Sequence, residues 1–362
     1  MQKLFFLRGL VVVVTTLLFY SFIIFLYSSF VPSVGANNFR SWLPNALYIP
    51  GGRGYTLLRL KEAERVSDVD ILFVGSSQVY RGFDVRIFES SGLKAFNLGT
   101  SAQTLFNTYY LLEEYLPTLN PEYIVLDLYW GVGKNDGVEP SIDIVSNSDL
   151  DENTLEMVFD LKNAPVYGTL FAACITRLRT PLHEIRQKEF KDARYIPGGF
   201  SESLITKNKL DPKKLGEIEP QNATLHDLQL EYLQKIIALC ESRNKKLILV
   251  MTPVTKEYKR KVINYANYTN TIAKIAKENN IPYFDYNERK GLSLISSADF
   301  SDMNHLSQSG VEKFNGLFIY DLYTSGVLNP SLTLHKHKGP SQPSKSWQAR
   351  KRQHTAVMRP SN

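Results

Sequence analysis

The sequence predicts a three-layer α/β/α body, a central, mostly parallel β-sheet covered by helices on both faces, behind a single N-terminal transmembrane helix. Three observations lead there. Short apolar, β-rich runs alternate with segments of helical periodicity. Those runs stop abruptly at small or polar residues, as buried parallel strands do where they meet a loop. Residues 9–30, "GLVVVVTTLLFYSFIIFLYSSF", carry no charge and are predominantly apolar. At 362 residues, with 43% hydrophobic and 22% charged content, the chain can bury a large core and lacks a disordered composition.

The apolar stretch comes first in the chain. Its 22 residues span about 33 Å as a helix, enough for a bilayer core. Lys3 and Arg8 precede it, and no charge follows until Arg40. The positive-inside bias therefore orients the N-terminus to the cytoplasm and the body outside. Small residues at 34–36, "VGA", offer a signal-peptidase site. The apolar run is longer than a cleaved signal needs, which favours a retained anchor over 1–36, and a linker follows at 37–67.

The body extends over 68–328. A short helix is expected in "TLLRLKEAERV", then a strand at 68–77, "DVDILFVGSS", and a second at 94–99, "KAFNLG". A helix at 104–116 leads to a third strand within 121–131, with the apolar pattern running to Tyr129 or Trp130. From about 134 to 222 the rhythm lapses into polar loops around one apolar segment, which reads as an insertion or cap over the sheet edge. It resumes with a helix at 223–243, a strand at 245–253, a helix at 257–278, a strand at 281–287 and a last helix at 308–325. "YIPGG" occurs at 48–52 and again at 195–199, a shared turn chemistry without a repeat architecture.

The formal charge of +6 does not describe the body. Seven Lys and Arg and no acid lie in 331–362, a Pro/Ser-rich tail (329–362) expected to be disordered, so the remainder is close to neutral. Nothing supplies the basic face that nucleic acid requires. Cys174 and Cys240 form neither a metal motif nor a disulfide framework and read as two buried thiols. No spacing calls for a metal or other cofactor.

Ligands of open parallel sheets bind beyond the carboxyl ends of the strands. There the sequence sets Gly75-Ser76-Ser77, Asn97-Leu98-Gly99, Gly133-Lys134-Asn135-Asp136 and "DMNHLSQSG" with Asp302 and His305. A serine hydroxyl becomes nucleophilic when an imidazole takes its proton, and a carboxylate fixes the imidazole's tautomer. Ser77, His305 and Asp302 suit those three parts. Backbone N–H groups of Ser77 and Gly99 and a side-chain amide could meet a developing oxyanion. Arg81 and Asp84 read first as a surface ion pair of little energetic weight, the alternative being that Arg81 holds the nucleophile loop or an anionic substrate group.

"LFVGSSQVYRGFD", "FNLGTS" and "DMNHLSQSG" resemble the first, second and last sequence blocks of the SGNH/GDSL hydrolase superfamily, across roughly 68–325. The resemblance implies a flavodoxin-like SGNH fold, Ser77 as nucleophile, His305 and Asp302 as its partners, and Gly99 as oxyanion donor. Ser76 stands where the family usually has aspartate. Gly133-Lys134-Asn135-Asp136 matches the third block literally and would make Asn135 the amide donor, although a gap separates it from its strand. With one N-terminal anchor, the chain is similar to the membrane-tethered branch that includes the teichoic-acid D-alanyl transfer protein and alginate acetyltransferases. The expectation is an extracytoplasmic serine esterase or O-acyltransferase acting on an acylated envelope or exported polysaccharide, with an integral-membrane acyl-transferring partner. The alternative is an inactive SGNH-fold subunit that binds or scaffolds glycan.

Overall fold

A computed structural model describes residues 2–30, 48–205 and 218–328. The "VGA" site, much of the linker, residues 206–217 of the insertion and the basic tail lie outside the described residues. Five strands form one parallel sheet in the order β2 (Ala95–Asn97), β1 (Ile71–Val74), β3 (Tyr123–Asp127), β6 (Lys246–Met251) and β7 (Tyr283–Asp285). Chain order therefore reverses beside β1, the switch point at which flavodoxin-like sheets open a crevice.

Alternation along the strands builds two cores. Leu72, Val74, Ile124, Leu126, Leu249 and Met251 face the helices Leu105–Leu119, Asp227–Ser242 and Tyr265–Glu278. Ile71, Phe73, Val125, Ile248 and Val250 face the opposite layer, around Gln308–Thr324. Every residue of β1 and β3 is buried, so these strands read as continuous apolar runs. In the second core Phe73 stacks on Phe83 at 4.4 Å between ring centroids, and Phe314 meets Phe83 edge-on at 5.2 Å. Phe83 closes the helix Ser77–Gly82 that starts at the end of β1, so this aromatic cluster anchors the segment that carries Ser77.

Several elements depart from the sequence expectation. The third strand stops at Asp127, ahead of the apolar pattern's end, because the chain turns into a 3-10 segment, Trp130–Val132, whose tryptophan packs on Tyr258 and Tyr265. The insertion is not loop: it holds helices Val138–Asn147, Glu152–Leu161 and Ala164–Arg177, then a hairpin of β4 (Ala193–Ile196) and β5 (Phe200–Ser203). The first two helices run only 10 residues each, short for a periodicity to show, and Asp151 caps the second by accepting from the Thr154 N–H. The helix expected over 257–278 is two, Lys256–Lys259 and Tyr265–Glu278.

The hairpin does lie on the sheet edge. At its turn the Gly198 carbonyl accepts the Asn97 N–H of β2 at 2.8 Å. That turn is the second "YIPGG", with Gly198 and Gly199 both at positive φ. Cys240 is buried as expected, which pushes its thiol up to about 12, whereas Cys174 is exposed on the helix Ala164–Arg177. The N-terminal helix Gln2–Phe30 contains a span, Phe6–Ile23, long and apolar enough to cross a membrane.

Truncating Phe83 removes the ring shared by the aromatic cluster. We expect Phe83→Ala to destabilise the body by about 3–5 kcal/mol, read as a lower urea midpoint. An unchanged midpoint would separate the nucleophile segment from the core.

Candidate active site

The turn after β1 is built for close approach. Gly75 has φ +143°, a conformation L side chains rarely adopt, and a Cβ there would lie 2.8 Å from Val79 Cγ2. Ser76 follows as the N-cap of Ser77–Gly82: it is buried and its hydroxyl accepts the Gln78 N–H at 3.4 Å. That capping role turns the Ser76 side chain inward. Ser77, the first helical residue, instead extends its Oγ to within 2.8 Å of His305 Nε2.

The imidazole is held from its other side. Nδ1 of His305 lies 2.8 Å and 3.0 Å from the two carboxylate oxygens of Asp302. Asp302 Oδ1 also accepts the backbone N–H groups of Asn304 (3.0 Å) and His305 (2.8 Å), a local turn that fixes the spacing of the pair. The loop is tied down further by Thr255, whose N–H and hydroxyl both donate to the Met303 carbonyl, and by the Ser301 N–H donating to the His305 carbonyl. Ser77, His305 and Asp302, 225 or more residues apart between first and last, thus form one hydrogen-bonded chain at the carboxyl end of the sheet.

Electrostatics set the proton positions. Burial alone would raise the Asp302 pKa, but its hydrogen bond with His305, the imidazole's charge and the Arg81 charge outweigh that and hold the carboxyl at about 2. Burial lowers the His305 pKa and the Arg81 charge adds to this, against the raising effect of Asp302. The imidazole is therefore neutral at neutral pH, the state in which Nε2 can take a proton from a hydroxyl.

Arg81 is not the partner of Asp84. Its guanidinium donates to Ser301 Oγ at 3.2 Å and lies 3.7 Å from Asp302 Oδ2. Asp84 instead caps the helix Val85–Ser90 and pairs with Arg86. A helix places residues three and four apart on one face, so Arg81 rises beside Ser77 from the next turn.

The expected oxyanion donors fare unequally. The Ser77 N–H opens its helix and has no hydrogen-bond partner among the described residues, as first-turn donors do. Gly99 abuts the nucleophile turn: a Cβ there would lie 3.0 Å from the carbonyl oxygens of Gly75 and Ser76. Its N–H, however, donates to Asn97 Oδ1 at 3.1 Å. Asn135 hydrogen-bonds none of the three residues; its N–H closes a turn to Val132 and its carbonyl accepts from Gln229. The Gly133-Lys134-Asn135-Asp136 stretch follows directly on the 3-10 segment Trp130–Val132.

Two positioning groups escaped the sequence reading. The buried Asn97 amide donates to the carbonyls of Val79 (2.8 Å) and Phe83 (3.2 Å), stitching β2 to the Ser77 helix. Asp127, at the end of β3, accepts from the Thr252 N–H and hydroxyl, both at 3.0 Å, and burial pushes its carboxyl up to about 7. The signal for each was a polar residue ending an otherwise apolar strand.

Residues 203–320 match the family DUF1574, described as a protein of unknown function. No curated protein matches the chain. Among solved structures, it is similar to a Bacteroides fragilis protein provisionally named an acylhydrolase, at 14% identity and TM-score 0.38, over 74% of this chain and 94% of that one. A GDSL-like lipase of Bacteroides thetaiotaomicron aligns at 13% identity and TM-score 0.36, covering 73% and 95%. The acetyl xylan esterase AlAXEase aligns at 14% and 0.34, covering 72% and 100%.

The charge on Arg81 disfavours an imidazolium at His305, so its removal raises the His305 pKa. A base must be neutral to act, so activity is lost as pH falls through that pKa. On an ester substrate, the acidic limb of kcat/KM should lie below the ordinary histidine value of about 6.5. It should move to higher pH in Arg81→Ala and stay low in Arg81→Lys. A limb unmoved by Arg81→Ala would remove Arg81 from the electrostatics of the site.

Proposed function

We propose that the chain is a serine esterase or O-acyltransferase of the SGNH type that works through an acyl-Ser77 ester. The observation that carries this is the 2.8 Å contact between His305 Nε2 and Ser77 Oγ, with Asp302 on the far ring nitrogen. Ser77 Oγ attacks the acyl carbon while its proton passes to His305 Nε2. Collapse of the tetrahedral intermediate expels the alcohol, which leaves with that proton. A second nucleophile, water or a sugar hydroxyl, gives its proton to His305 and releases the acyl group, restoring Ser77. Asp302 stays ionised and steadies the imidazolium. The Ser77 N–H meets the oxyanion; the Gly99 N–H would have to leave Asn97 to help.

The reading extends to location and substrate. The span Phe6–Ile23 anchors the chain in a membrane with the body outside the cytoplasm, where the substrate is an acylated glycan of the envelope or one being exported. An integral-membrane protein supplying acyl groups is the partner this arrangement suits. These parts rest on the positive-inside pattern and on the resemblance to membrane-tethered relatives.

A second reading is favoured by one observation, the incomplete set of oxyanion donors. With the Gly99 N–H engaged by Asn97, the fold would serve as a glycan-binding or scaffolding subunit.

Incubation with a fluorophosphonate or an activated acetyl ester separates the two. A covalent adduct mapped by intact mass and peptide sequencing to Ser77, absent in Ser77→Ala and strongly slowed in His305→Ala, is expected of the enzyme. A folded wild-type chain that acquires no adduct would leave the binding reading.

A further inference from the structure

We propose that the insertion helix Ala164–Arg177 lies on the membrane surface beside the outer end of the N-terminal helix, with its free face in the lipid headgroup region. This rests on the membrane-anchor reading and adds to it a second, surface-lying contact from the folded body.

The helix has two apolar faces. Val166, Thr169, Ala172 and Ala173 are buried against the body. Tyr167, Phe171, Cys174 and Leu178, spaced by four, three and four residues, form a stripe on another side. Leu178 is 86% exposed, Tyr167 is 38% exposed, and Phe159 from the preceding helix, 57% exposed, extends the stripe through a ring contact with Tyr167 at 6.0 Å. Large apolar residues exposed together mark an interaction surface.

Continuity with the anchor identifies the occupant. The N-terminal helix packs against Ala164–Arg177, with Tyr20 and Phe171 at 5.9 Å between ring centroids. Tyr20 lies near the outer end of the span Phe6–Ile23, where tyrosines of membrane helices collect at the interface. Residues 6–19 are exposed all round. Lipid that surrounds them therefore meets the Phe171 stripe at the level of Tyr20. The charges agree: from Lys162 to His183 there is no acidic residue, and Lys162 and Arg177 flank an uncharged segment, 163–176, with Arg179 two residues further on. An apolar stripe with basic ends suits the boundary between acyl chains and lipid phosphates.

Cys174 provides the probe, being exposed within the stripe, while Cys240 is buried. The full chain is labelled there with an environment-sensitive fluorophore and reconstituted into phosphatidylethanolamine–phosphatidylglycerol liposomes. A control carries Cys174→Ser and Lys274→Cys, which moves the label to an exposed site on another helix. Flotation with the liposomes reports the anchor independently of the label. The expected result is several-fold stronger quenching of the Cys174 label than of the control by nitroxides near the lipid headgroups, with the difference lost in Phe159→Glu/Leu178→Glu. If the chain floats but the Cys174 label is reached equally by aqueous iodide and by the control's quenchers, the surface contact is overturned while the anchor stands. A label shielded from both lipid and aqueous quenchers would mean a protein covers the stripe, which also overturns it. A chain that does not float overturns the anchor and the contact together.

Discussion

The site depends on how closely two turns of backbone approach each other at the switch point of the sheet. Gly75 turns the chain out of β1 and Gly99 turns it out of β2; a side chain on Gly99 would press on the Gly75 and Ser76 carbonyls, and one on Gly75 on Val79 and Asp127. The Thr100 N–H donating to the Gly75 carbonyl and the Asn97 amide donating to Val79 and Phe83 lock that approach. Ser77 is thereby held on a short helix whose far end is buried in the aromatic core. Its hydroxyl has a fixed position for the imidazole to meet.

The partner loop is held by different means. It follows the last strand and owes its shape to polar bonds: the Asp302 carboxylate folds the Asp-x-x-His turn on itself, and Thr255 and Ser301 staple it to its neighbours. Arg81 joins the two halves, since it grows from the Ser77 helix and reaches Ser301 and Asp302 on the loop. This one cation adds to both effects that set the pair, burial's lowering of the His305 pKa and the hydrogen bond from His305 that holds the Asp302 carboxyl down. A site assembled from distant segments acquires its electrostatics and its geometry from the same contact.

Much of this was legible in the sequence, for identifiable reasons. Buried parallel strands read as apolar runs, so β1, β2, β3 and β6, and with them the half-buried edge strand β7, were expected at nearly their positions, and ends of strands in such sheets are where polar residues converge. Ser77, Asp302 and His305 followed from that rule. What could not be read was set by tertiary packing. Trp130 packs on Tyr258 and Tyr265 where the chain leaves β3 for a 3-10 segment, an end of the strand that its apolar pattern did not mark. The engagement of the Gly99 N–H by Asn97 is a side-chain choice with no local signature. The two 10-residue helices of the insertion, Val138–Asn147 and Glu152–Leu161, lacked the length that makes a periodicity visible.

The β4–β5 hairpin has a consequence for solubility and assembly. A bare outer strand exposes donors and acceptors that template the addition of strands from other molecules. Gly198 covers one such group on β2, and only glycines fit there, because a Cβ on Gly199 would fall 2.0 Å from the Asn97 carbonyl oxygen. The insertion therefore acts as a blunt guard on that margin, discouraging fibre-like stacking of a body whose sheet would otherwise end in an open ladder.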